Sequence, residues 1–314
     1  MAIKEKYLDP FTDFGFKRLF GSELNKDLLI DFLNQLLPPQ HRIQDLTYAD
    51  KEHVGRSEYD RRAIFDLFCT GQNGERFIVE MQRAKQKYFK DRSVYYTSFP
   101  IREQEQRGNW NFRLEPVYLV GILDFVFDED KDNPEVCHRV QLKDQLNRVF
   151  YDKLMLIYLE MPKFTKTEAE LVTPFDKWLY VLKHLPQLDA RPAKLQERIF
   201  AHLFDEAAVS KFDPDELALY EESLKVYRDN KNTWDYAIEE AVKEAVKEAE
   251  GKVKEAEGKV KEAEGKGKEA EGKVKEAEER VKGMARKALQ KNLSLIDIAE
   301  LTGLTEAEIE ALRE

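Results

Sequence analysis

Apolar residues recur at helical spacing through ELNKDLLIDFLNQLL (23–37), and the run stops at Pro38-Pro39, so an amphipathic helix is predicted there. The period then changes. AIFDLFCT (63–70) and RFIVEMQ (76–82) are β-branched and aromatic runs separated by Gly71-Gln72-Asn73-Gly74, which predicts a hairpin. Residues 88–107 are polar and helix-compatible, Gly108 closes them, and a third strand is predicted over 117–127. Apolar runs at 136–142 and 153–161 extend the sheet until Pro162 ends it. A helix crossing between strands of one sheet makes an α/β core. From 168 to 236, amphipathic segments such as FDKWLYVLKHL and LQERIFAHLF alternate with proline-containing turns and predict a helical subdomain.

Beyond about residue 239 the motif KVKEAEG repeats every seven residues. Placing Val246, Val253, Val260, Val274 and Val281 at position a puts Ala249, Ala256, Ala263, Ala270 and Ala277 at d, with glutamate mainly at e and lysine or arginine at g. The seam is thin. Alanine buries little area, Gly267 leaves a gap at a, and Gly251, Gly258, Gly265 and Gly272 at f each cost about 1 kcal/mol of helix propensity. A weak coiled coil and a single charged helix both fit. In the last 30 residues Ser294 and Thr305 are N-caps, Gly303 is the turn between them, and Thr305 with Glu308 forms a capping box. This spacing is helix-turn-helix-like, yet Glu306, Glu308, Glu310 and Glu314 oppose phosphate, so packing or assembly is its expected role. The predicted organisation is a core over 1–165, a helical subdomain over 166–238, a heptad helix over 239–283 and a small tail over 284–314.

Composition adds limits. A chain of 314 residues with 42% hydrophobic content buries a sizeable core, while a net charge of -10 means that any nucleic-acid contact must use a local patch. Cys69 and Cys137 lie far apart without CxxC spacing, which argues against zinc or a disulfide framework and for a reducing compartment. The start lacks an apolar signal core, and 116–127 is too short to span a bilayer, so the expectation is a cytoplasmic protein with no membrane partner.

The candidate chemistry sits in the hairpin. Asp66 is the one charged residue in an apolar run, and an unpaired buried carboxylate is costly. Glu80 and Gln82 share one face of their strand because side chains alternate, while Val79 and Met81 face the other way. A turn of three or five residues gives pairs summing to 146 and sets Asp66 opposite Glu80, with Cβ atoms about 5 Å apart. A two-residue Asn73-Gly74 turn would separate them to opposite faces. Two converging carboxylates repel unless a cation neutralises them; oxygen ligands suit Mg²⁺ or Mn²⁺, with the Met81 carbonyl as a third ligand. The plain alternative pairs the two acids with Arg61, Arg62 or Arg83.

The motif TDFGFKRLFG (12–21), the hairpin FDLFCTGQNGERFIVEMQ, the following YFKDRSVYYTS and the strand after Gly108 together resemble the Rpn family of recombination-promoting nucleases, also described as transposases, within the PD-(D/E)xK superfamily. The resemblance covers roughly residues 7–165. It implies a restriction-endonuclease-like fold, a mixed sheet flanked by helices, that cuts DNA with Mg²⁺. Asp66 and Glu80 match the motif acids and would be metal ligands. Where the superfamily motif has lysine this sequence has Gln82, which Rpn-like patterns tolerate; its amide can orient water, and Lys85 or Lys87 would supply the missing charge.

Arg83, Lys85, Lys87, Lys90 and Arg92 follow closely and form a candidate DNA-contacting edge. Asp13 is expected to cap the first helix, with an accessory acid at the metal as its other role. The histidines His41, His53, His138, His184 and His202 lack ligand-like spacing and read as structural. The function expected is a Mg²⁺-dependent DNA endonuclease, catalytic through Asp66, Glu80 and Gln82, acting as a homodimer and promoting recombination. The alternative is a catalytically silent DNA-binding or assembly protein that retains the fold.

Overall fold

A computed structural model describes residues 5–49, 52–53, 63–105 and 109–313. The chain divides into two compact units, Met1–Asn230 and Lys231–Glu314. The strands of the first unit are β1 (Leu46–Tyr48), β2 (Glu52–His53), β3 (Ala63–Ile64), β4 (Leu67–Gly71), β5 (Arg76–Gln82), β6 (Val117–Leu123), β7 (Cys137–Lys143) and β8 (Val149–Glu160). Its helices are α1 (Asp13–Phe20), α2 (Lys26–Leu36), α3 (Phe89–Arg102), α4 (Pro174–His184), α5 (Arg198–Glu206) and the start of α6 (Pro214–Gln290).

Six strands make a mixed sheet in the order β1-β4-β5-β6-β8-β7, and β2 pairs separately with β3. The β4-β5 hairpin is antiparallel because three residues, Gln72 to Gly74, suffice to reverse the chain. Gly74 supplies φ +91° there, and Asn73 donates through its backbone and side-chain amides to Glu75. From β5 the chain crosses through α3 and returns parallel as β6, as a βαβ connection requires. β8 is parallel to β6, and β7 closes the edge antiparallel to β8.

Alternation splits the sheet's side chains between two cores. Leu67, Cys69, Phe77, Val79, Tyr118, Val120, Ile157 and Leu159 face a large core with Leu28, Phe32, Trp178, Leu179, Phe200 and Tyr220, contributed by α2, α4, α5 and α6. Phe68, Ile78, Leu119, Leu123, Leu156 and Tyr158 face a smaller one with Phe89 and Phe99 of α3. β6 is buried on both faces along its whole length, which explains its unbroken apolar sequence. The helical segments after residue 168 therefore complete the core of the sheet. Trp178 stands between Phe32 and Phe200 and donates from its indole to Asp31 at 2.7 Å.

Helix α4 shows how local sequence sets these helices. Pro174 occupies its first turn, and Thr173 and Asp176 exchange cap hydrogen bonds of 3.1 Å in each direction. Thr173→Ala is expected to cost about 1 kcal/mol, read as a lower denaturant midpoint at unchanged slope.

In the strands and the first helix the structure departs from the sequence expectations at three points. AIFDLFCT is not one strand: it breaks at Phe65-Asp66 between β3 and β4, so that Phe65 and Phe68 both enter the α3-side core. The strand expected over 117–127 ends at Leu123, where the backbone N–H of Asp124 bonds the Gln82 carbonyl at 3.0 Å. Thr12, not Asp13, caps α1, accepting from the Gly15 N–H at 2.9 Å; Asp13 sits in the first turn and pairs with Lys17. The Ser and Thr hydroxyls are better placed than a carboxylate one residue into the helix to reach the free N–H groups.

In the second unit, α6 is followed by α7 (Leu295–Thr302) and α8 (Glu306–Glu310), and Ala285, Ile298 and Ile309 form a small buried cluster. Ser294 and Thr305 cap α7 and α8, Thr305 with Glu308 completes a capping box, and Gly303 holds φ +73°. Along the heptads the helix carries its own i,i+4 ion pairs: Glu248–Lys252, Glu255–Lys259, Glu262–Lys266 and Glu269–Lys273. These pairs offset part of the glycine penalty within a single helix. Among the described residues no helix is long and apolar enough to cross a membrane.

Candidate active site

β5, β6 and β8 run parallel and end together at Gln82, Leu123 and Glu160, which are in register across the sheet. The carboxyl ends of parallel strands are where open α/β sheets leave a crevice. Side-chain alternation then decides what faces it. Asp66, Glu80 and Gln82 lie on the α3 side, the same side as Phe68 and Ile78.

The β4-β5 pairs Leu67–Val79, Phe68–Ile78, Cys69–Phe77 and Thr70–Arg76 all sum to 146, so Asp66 comes opposite Glu80, as a three-residue turn requires. The two residues then replace the ladder with bonds of their own. The Asp66 N–H donates to Glu80 Oε1 at 3.3 Å, and the Met81 N–H donates to Asp66 Oδ2 at 2.7 Å. These bonds explain the break in the strand: the Asp66 carboxylate takes a backbone donor that a longer β4 would have used. A residue's N–H and C=O face the same neighbouring strand, so the Met81 carbonyl also points to the side where Asp66 lies.

Glu80 is 6% exposed. Burial, and secondly the nearby Asp66 charge, push the Glu80 carboxyl up to about 8. Asp66 is raised too, by burial first, with the Met81 N–H opposing and Asp13 adding to the rise. Two carboxylates this close, one buried and one half-buried, each disfavour the other's ionisation, and a cation between them would relieve that. Two carboxylates and a peptide carbonyl are the donor set that a hard divalent ion takes, so these residues fit Mg²⁺ or Mn²⁺.

Gln82 is held at both ends. Its Nε2 donates to the Ala84 carbonyl at 3.0 Å, and its Oε1 accepts from Arg92 Nη2. Arg92 also donates to Gln86 and lies against the rings of Phe89 and Tyr96. Its guanidinium draws both acids back toward the ionised form. The expectation that Lys85 or Lys87 supplies charge beside Gln82 is therefore corrected. Lys85 is bound to Asp128, and Lys87 lies over the Tyr88 ring. Both come before α3 begins, where the chain has already turned outward.

The basic run does not form one row. Lys85 and Lys90 lie on the surface, ion-paired with Asp128 and Glu129, and Lys87 is exposed. Arg92 turns inward, and Arg83 is half-buried with its guanidinium 3.9 Å from the Tyr227 ring centroid. Arg83 is thus engaged away from Asp66 and Glu80, while Arg61 and Arg62 lie outside the described residues, as does the His53 side chain. Asp13 and Lys17 of α1 stand close enough to act on the charge of Asp66, with opposite signs.

A second group was not visible from spacing. Asp130, His138 and Glu160 each bring one metal-ligating atom within 4.8 Å of the others. Glu160 is fully buried, accepts from the Phe127 N–H at 2.6 Å and lies 3.0 Å from His138 Nε2. The Lys163 ammonium also sits on Glu160, so this carboxylate already has a countercharge. That distinguishes it from the Asp66–Glu80 pair. The β7-β8 pairing, with His138 opposite Tyr158, two residues before Glu160, brings the group together.

A mixed sheet covered by helices, with two acids converging from a hairpin beside its parallel strand ends, defines a nuclease-type α/β protein. The chain belongs to the PD-(D/E)XK nuclease family transposases: the family model of that description matches residues 10–237, which include the whole sheet, its helices and the hairpin acids. No curated protein and no solved structure matches the chain.

Proposed function

We propose that the protein is a Mg²⁺-dependent DNA endonuclease that hydrolyses phosphodiester bonds and promotes recombination or DNA mobility, working in the cytoplasm as a homodimer whose two sites serve the two strands. The observation that carries the reading is the convergence of the half-buried Asp66 and the buried Glu80, facing each other without an arginine or lysine bonded to either carboxylate among the described residues. Asp66, Glu80 and the Met81 carbonyl would hold Mg²⁺, with Mn²⁺ as a substitute. An ion held there would supply an activated water and stabilise charge on the leaving oxygen. The chain's own residues do the rest: Asp66 and Glu80 set the position of the ion, and the Gln82 amide orients the water.

Lys85, Lys87 and Lys90 are the side chains placed to meet a DNA backbone. The ion pairs of Lys85 and Lys90 are exposed, and such pairs contribute under about 1 kcal/mol, so exchanging a carboxylate for a phosphate costs little. The free thiols Cys69 and Cys137 suit a reducing compartment.

Purified full-length protein with supercoiled plasmid and Mg²⁺ is expected to give nicked and linear DNA, and excess EDTA to stop it. Plasmid left intact at every Mg²⁺ and Mn²⁺ concentration, with salt-sensitive DNA binding, would instead establish the silent binding protein. Light scattering during the same preparation reads the oligomeric state.

A further inference from the structure

We propose that Arg92, reaching in from α3, is the positioning residue of this site: it supplies the positive charge that Gln82 lacks and holds the Gln82 amide in its working orientation. The inference rests on the nuclease reading above.

The amide is fixed by donor and acceptor chemistry. Its oxygen meets the guanidinium, and its nitrogen meets the Ala84 carbonyl. Flipping the amide would set two donors against each other at Arg92 and two acceptors against each other at Ala84. One orientation therefore remains, leaving one N–H and one oxygen lone pair for a water beside Glu80. A lone glutamine on a strand end has no such restraint.

Arg92 is itself pinned. One terminal nitrogen holds Gln82, the other holds Gln86, and the guanidinium stands 5.1 Å from the Phe89 ring centroid and 5.6 Å from that of Tyr96. Among the described residues, the other cations near the hairpin contact other groups: Lys85 meets Asp128, Lys90 Glu129, Lys17 Asp13, and Arg83 the Tyr227 ring. Among the described residues, Arg92 is the cation that joins the row of Glu80 and Gln82 by a direct bond to one of them. Guanidinium stays protonated at all working pH values, so the charge is constant. A basic residue ten positions after Gln82 thus does from a helix what a lysine on the strand would do, with glutamine as the link.

The test compares Arg92→Met, Arg92→Lys and the double variant Gln82→Lys/Arg92→Met. It measures kcat and KM on a short duplex with Mg²⁺, Mn²⁺ binding by calorimetry, and melting temperature. Arg92→Met is expected to lose about 100-fold in kcat, the scale of one preorganised donor, with KM within about twofold of wild type. Mn²⁺ is expected to bind it at least as tightly as wild type, since a cation beside the acids has gone. Gln82→Lys in that background is expected to recover about tenfold or more by restoring the charge on the strand. Arg92→Lys, which keeps the charge and loses the fork, is expected to fall between wild type and Arg92→Met.

Three outcomes overturn the inference: kcat of Arg92→Met within about threefold of wild type; a loss confined to KM with a shallower salt dependence, which would make Arg92 a phosphate contact; or a double variant that folds and recovers nothing. Should Arg92→Met melt early, Arg92→Lys decides, and a folded Arg92→Lys as inactive as Asp66→Ala overturns the charge argument. Wild-type protein that cuts no DNA fails at the first step of the same assay; it sinks the nuclease reading and this inference with it.

Discussion

Asp66→Asn is expected to lower Mg²⁺-dependent cleavage by about 10³-fold while leaving the metal-free protein at least as stable as wild type at pH 8. The two halves of this result have one cause. Asparagine keeps a carbonyl oxygen to accept the Met81 N–H, now made at 2.7 Å, so the local bond survives. It removes the charge that, after burial itself, is the largest contributor holding Glu80 protonated. A metal site loses half of its formal negative charge, which weakens both ion binding and the stabilisation of developing charge. The folded apo protein loses a like-charge repulsion. An acid retained to pair with an arginine behaves in the opposite way: neutralising it leaves a buried cation unpartnered and costs about 3 kcal/mol or more. Cleavage kinetics and thermal melts in EDTA on the same preparation separate the two. Lost activity with a lower melting temperature at pH 8 would make Asp66 a structural partner.

How much of this was readable beforehand follows the range of the interactions. The hairpin was legible because it is local, but its sequence allows two turn lengths and hence two registers; the three-residue turn with glycine at its last position decides for pairs summing to 146, which bring Asp66 to Glu80. Helix ends governed by a single side chain, at Ser294, Thr305 and Gly303, were legible for the same reason. Asp13 misled because two adjacent residues both have capping chemistry, and the choice of Thr12 depends on where the helix begins. The strand break at Asp66 was hidden because hydrophobic pattern cannot show that a carboxylate will replace a ladder bond. Arg92 was seen only as one basic residue in a run; its turn inward depends on how α3 lies across β5, a contact between segments that periodicity does not encode. Glu160, His138 and Asp130 come together only once β6, β7 and β8 are ordered, which is a property of topology.

In EDTA the protein is expected to lose stability as pH rises from 5 to 8, and Mg²⁺ is expected to abolish that loss. Glu80 ionises near 4.5 when the chain is unfolded and near 8 when folded without metal. Between those values the unfolded chain binds fewer protons than the folded one, so stability falls with pH. The contribution is fully present below the unfolded value and gone above the folded one. Asp66, also raised, acts in the same direction. The groups facing the pair oppose it only partly: the Arg92 guanidinium draws both acids toward ionisation, Lys17 does so for Asp66, and Asp13 works against them. Across the window the loss is on the order of 3 kcal/mol, or about 5–10 °C in melting temperature.

Other shifted groups can be told apart by sign and range. Asp45, Asp128, Glu129 and Asp144 are lowered by hydrogen bonds, so their contributions are lost at acid pH, below the window. His184 is lowered by burial and Lys183, which makes it gain stability as pH rises through about 6.5. Its effect opposes the loss and persists in every site variant. Asp66→Asn is therefore expected to flatten the slope in EDTA, and wild type at neutral pH to release about one proton on taking up Mg²⁺, read by calorimetry in two buffers of different ionisation enthalpy. A flat melting profile from pH 5 to 8 in wild type, or Mg²⁺ uptake without proton release, would show that the two acids do not share a proton in the folded state. The repulsion on which the proposed metal site rests would then be absent.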